Sequence, residues 1–154
     1  VKILPALGGP DFWLVMFRRE TSSSWLDRAV PGHWKHVSAV GYFPDARCWV
    51  AVDPTLRGIW VDVRRGEESG NWLDVVAAGG GVLKVGPRRS EARVFRQFWC
   101  VPAVAAMVGS RSGALLPDRF WRDLIAEGAE IVADEDGCAE ATGRPGSGTP
   151  GQGS

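Results

Sequence analysis

"HWKHVSAVGYFPDARCWVAVDP", residues 33–54, decides the fold. Two histidines open an apolar run, Pro44-Asp45 interrupts it, and a second apolar run ends on Asp53. Such a pattern predicts a β-hairpin with strands at 36–43 and 48–53. With Pro44-Asp45 at the centre of the turn, Val37 opposes Val52, Ala39 opposes Val50, and His36 opposes Asp53. Directly opposed residues share a face of the sheet, with Cβ atoms about 4.5–5.5 Å apart. The hairpin therefore brings an imidazole and a carboxylate together at its open end. A one-residue slip of register would send them to opposite faces.

Outward from the hairpin, "GIWVDV" (58–63) alternates as a third strand, and "GVLKVG" (81–86) reads as a fourth over 82–85. The glycines at 79–81 lack the Lys-Ser/Thr of a phosphate loop and read as a turn. "CVPAVAAMVG" is apolar almost all round from Val101 to Val108, as in a buried helix that Gly109 stops. A second helix is expected over Pro117–Glu127, with Pro in its first turn and Gly128 after its end. Upstream, residues 1–24 combine the short apolar run "FWLVMF" with the polar "RRETSSS" and read as an N-terminal extension, and Asp27–Pro31 as a turn. Strands first and helices later predict an α+β domain: an antiparallel sheet of about four to five strands packed on a Cys-bearing helix. Its expected span is 1–137, followed by a disordered Gly/Pro/Ser tail over 138–154.

The 154 residues suit one core, and a formal net charge of zero offers nucleic acid no field of one sign. No nucleic-acid partner is expected. "FWLVMF" is too short for a membrane span or a signal-peptide core. Cys48, Cys100 and Cys138 leave one thiol unpaired in any disulfide scheme, which favours a reducing compartment. Among the eight Trp, Trp34 and Trp99 are the candidates for substrate contact, since an indole offers a large apolar surface and one N–H.

The base–acid pair needs a group to activate. Pro102 favours a helix start, which puts Cys100 in or just before the first turn. The unpaired amides and the helix dipole there stabilise a thiolate, and the same amides can donate to an oxyanion. Cys100 as nucleophile, His36 as base and Asp53 as orienting acid make a set suited to thiol acyl transfer. Plain readings stand beside these. Cys100 fits a small buried apolar residue, His36 a strand-end hydrogen-bonder, and Asp53 before Pro54 a turn starter. His33 is the second candidate base. His33, His36, Cys48 and Asp53 follow no zinc spacing, so neither metal nor cofactor is expected.

The order "KHVSAVGY…CWVAVDP…GIWVDV" followed by "CVPAVAAMVG" resembles a circularly permuted papain-like domain. That group includes permuted NlpC-like hydrolases and lecithin–retinol acyltransferase, and in it the His strand precedes the Cys helix. The "HVS…GY", "CV" and "LLPDRFWRDL" layout is also similar to short tailed-phage proteins. The resemblance spans residues 33–128 and implies a cysteine hydrolase or acyltransferase acting on an amide or ester, a cell-wall peptide among the candidates, with Cys100, His36 and Asp53 at the site. The alternative it leaves open is a catalytically inactive module binding a virion or bacterial protein. The implied setting is the bacterial cytoplasm or a phage virion.

Overall fold

The computed structural model describes residues 8–21, 24–65, 70, 72–73, 80–88 and 99–134. Among these residues six strands form one antiparallel sheet: β1 (Trp13–Arg18), β2 (His36–Phe43), β3 (Cys48–Thr55), β4 (Gly58–Arg65), β5 (Gly80–Val85) and β6 (Glu130–Ala133). Their spatial order is β4-β3-β2-β1-β5-β6. Three helices are described, α1 (Ser24–Ala29), α2 (Cys100–Met107) and α3 (Pro117–Ala126). The α+β class and the four expected strands are present, and two further strands join them.

The larger correction concerns β1. The apolar run assigned to an N-terminal extension lies inside the sheet, between β2 and β5. Its Val15, Met16 and Phe17 are all buried, because it has apolar layers on both sides. A strand buried on both faces does not alternate, so the period-2 signal is lost. Upstream of the hairpin, the expected turn at Asp27–Pro31 begins as the last part of α1, and Asp27 Oδ1 accepts from Thr21 N at 2.6 Å.

The hairpin register also differs from expectation. Phe43 pairs with Cys48, so the connection is the four residues Pro44–Arg47. Arg47 takes φ of +48° and its N–H donates to Pro44 O at 3.1 Å. Ala39 therefore opposes Val52 and Gly41 opposes Val50, a shift of two residues. Because the strand period is two, this shift leaves His36 and Asp53 on the same side of the sheet as each other.

One face of the sheet packs on α2 and α3. Phe17 lies at the centre of an aromatic cluster there, with its ring centroid 4.9 Å from Trp121 and 6.0 Å from both Trp34 and Phe120. Gly81, placed by its sequence in a turn, belongs to β5. A Cβ there would come within 2.7–2.9 Å of Trp121 and Trp34, so glycine is what lets the two indoles reach the sheet. Met16, Val40, Ala51 and Val82 form the opposite apolar layer. Helix α2 ends as expected, with Gly109 at φ of +67°.

Helix α3 starts with Pro117 in its first turn, and the next residue ties it to the hairpin. Asp118 Oδ2 accepts from His33 N at 2.8 Å and Oδ1 from Trp34 N at 2.7 Å. Gly32 makes room for this clasp: its φ is +100°, and a Cβ would lie 2.1 Å from Asp118 Oδ2. Among the described residues no helix is long and apolar enough to cross a membrane. Cys138 and the segment expected to be a tail lie outside the described residues.

Candidate active site

His36 is the first residue of β2, and Asp53 lies near the end of β3, so both sit at the same end of the sheet. His36 Nε2 and Asp53 Oδ1 are 2.5 Å apart. Cys100, the first residue of α2, also reaches this end, where it lines the same cleft as His36 and its side chain acts on the ring's protonation. The three residues picked out from the sequence thus converge, although the register that first brought two of them together was off by two.

Burial disfavours a charged His36. The hydrogen bonds to Asp53 and Cys100, together with the charges of those groups, outweigh it and raise the imidazole from 6.5 to about 9. The ring is thus an imidazolium through the neutral range. It stands beside the Asp53 carboxylate and lines the same cleft as Cys100. Asp53 has a second partner, since Arg18 Nη1 lies 3.6 Å from its Oδ2.

Helix α2 contributes its free end. Trp99 precedes it in extended conformation with no side-chain cap, and the Trp99 carbonyl accepts from Ala103 N at 3.4 Å. The amides of Cys100 and Val101 have no acceptor within the helix, and Pro102 has no N–H to offer. This helix end therefore offers two donors of the kind an oxyanion needs.

The residues face a cleft of about 850 Å³ between the sheet end, α1, the β3–β4 turn and the start of α2. Trp25 and Leu26 from α1, Pro54 from the end of β3, Leu56 from the turn, and Trp99 supply its apolar lining. That size and mixture suit a peptide segment or a small acyl group. Cys100 is 8% exposed overall yet lines the cleft, so it is shielded from bulk water while open to an occupant.

The other candidates fall elsewhere. Trp99 lines the cleft, with Nε1 donating to Leu115 O at 2.7 Å. Trp34 does not; at 2% exposed it belongs to the aromatic core, and only its backbone N–H, clasped by Asp118, bears on the site. His33 packs edge-on against Trp34, its ring centroid 4.5 Å away, and is not part of the cleft wall. Cys48 begins β3, at the opposite end of that strand from Asp53. No group of three potential metal ligands occurs among the described residues. Arg18 was missed from the sequence because its strand was; once β1 is placed next to β2, Arg18 falls directly opposite His36.

No family model matches the chain, and no curated protein or solved structure matches it either.

Proposed function

We propose that the protein is a cysteine hydrolase or acyltransferase that acts on an amide or ester through Cys100, His36 and Asp53. The observation that carries this reading is the 2.5 Å contact of Asp53 Oδ1 with His36 Nε2, in the wall of a cleft that Cys100 also lines. In such a reaction the Cys100 sulfur, its proton held by His36, adds to the substrate carbonyl. The amides of Cys100 and Val101 are the donors available to the oxyanion. Collapse of the adduct expels an amine or alcohol, which takes its proton from the His36 imidazolium and leaves a thioester on Cys100. Water or an acceptor nucleophile then attacks the thioester, with the neutral ring as base, and restores the thiol. Asp53 keeps the ring in place and balances its charge throughout. Cell-wall peptides are among the substrates such a site would accept.

The internal control for a test is already in the chain. Cys48 and Cys100 are almost equally buried, at 7% and 8% exposed, so a difference in their reactivity reports on their neighbours. Alkylation by iodoacetamide at pH 6, mapped by mass spectrometry, is expected at Cys100 well before Cys48. His36→Gln should slow it sharply. With a p-nitrophenyl ester, Cys100→Ala should abolish turnover while shifting the melting temperature little, and Asp53→Asn should impair turnover less completely. Equal alkylation of the two cysteines would overturn the reading.

A second reading, a catalytically silent module that binds another protein, draws on β4. This strand closes one edge of the sheet and exposes Ile59, Trp60, Val61 and Val63. An exposed apolar edge can pair with another chain. Under this reading Cys100 has no special reactivity, so the same alkylation experiment separates the two.

A further inference from the structure

We propose that Arg18 is a positioning residue of this site, holding one oxygen of Asp53 so that the other stays on His36. The inference rests on the cysteine-site reading above and adds a fourth residue to it. Arg18 ends the central strand β1 and is the direct cross-strand partner of His36. Its Nη1 lies 3.6 Å from Asp53 Oδ2, while Oδ1 meets His36 Nε2 at 2.5 Å. Each carboxylate oxygen thus has its own cationic partner.

Two physical arguments make this more than a surface ion pair. A carboxylate turns easily about its terminal torsion, and a single partner does not fix its plane; a second partner on the other oxygen does. In addition, Arg18 and a protonated His36 are like charges at directly opposed positions, an arrangement that destabilises a sheet. Asp53 between them turns that repulsion into a bridge. Arg18 is itself anchored, since its carbonyl accepts from Lys35 N at 2.8 Å. Among the described residues, Glu20, Lys35 and Arg57 are the other charged ones lining the cleft, and Lys35 Nζ donates to Val30 O at 2.7 Å.

The test is a double-mutant cycle read through the pH profile of Cys100 alkylation in the full chain, with Cys48 as internal control. Arg18→Met should slow alkylation at pH 6 by about three- to tenfold. Arg18→Lys, which keeps the charge on a flexible stem, should recover part of that loss. In an Asp53→Asn background, Arg18→Met should produce almost no further change, because the residue it acts through is already gone. Additive losses in the double mutant would overturn the inference by showing that Arg18 acts on the sulfur or the reagent directly. A pH profile of Arg18→Met identical to wild type would overturn it too. Wild-type Cys100 reacting no faster than Cys48 would overturn the cysteine site and this inference together, a result distinguishable from the other two. Melting temperatures of all variants guard against misfolding, and Arg18→Lys preserves the test if Arg18→Met folds poorly.

Discussion

His36 concentrates the site's pH dependence in one ring. Its pKa is 6.5 in an unfolded chain and about 9 in the fold, so over that window the native state holds a proton that the unfolded state has lost. The stabilisation this group supplies is complete below about pH 6.5 and disappears as the pH rises through about 9. At most it amounts to about 3 kcal/mol. Urea denaturation at pH 6 and pH 9.5 should show the wild type weakening toward alkaline pH and His36→Gln changing much less. The same protonation governs chemistry with the same sign. The imidazolium is the acid that protonates an amine leaving group, so amide turnover should decline on the alkaline side with a midpoint near pH 9. A rate that still climbs through pH 10 would mean that a neutral ring suffices and that the proton comes from elsewhere.

Elements, rather than side chains alone, bring the three groups to one end of the sheet. The clasp of Asp118 on the His33 and Trp34 amides fixes the chain just before β2 starts. Asp118→Ala leaves two partly buried N–H groups without their carboxylate and should cost about 2–3 kcal/mol by chemical denaturation. It should also slow Cys100 alkylation, though it touches none of the three groups. A loss of stability with unchanged reactivity would show that the clasp serves packing only. The hairpin, the third strand and both later helices were legible because each carries a period or a stop signal, such as the alternation over 58–63 and Gly109 after α2. Strand β1 was not legible, because Val15, Met16 and Phe17 are apolar in succession and a strand covered on both faces has no period to show. Arg18 went unseen with it. The hairpin register was misjudged by two because the turn takes four residues, with Arg47 at positive φ, a conformation that "PDAR" does not announce. The His36–Asp53 pair was found regardless, since a shift of two preserves the face.

At the scale of the whole molecule, Phe17 is the keystone of the helix-facing core, touching Trp34 from the loop before β2 and Phe120 and Trp121 from α3. Phe17→Ala should destabilise the protein by about 3–5 kcal/mol, read as a lower urea midpoint. Because it loosens the packing between sheet and helices, it should also blunt Cys100 reactivity at urea concentrations the wild type tolerates. A loss below 1 kcal/mol would mean that β1 is not integral to the core. The spacing of the three site residues along the chain has a consequence for biosynthesis. His36 and Asp53 leave the ribosome close together, on neighbouring strands that can pair before much else has been made. Cys100 emerges far later, and it meets them only once α2 has settled on the sheet. A nascent or truncated chain therefore carries the acid–base half of the apparatus without its nucleophile, and the reactive thiol comes into being only when α2 is placed, after the strands that carry its partners.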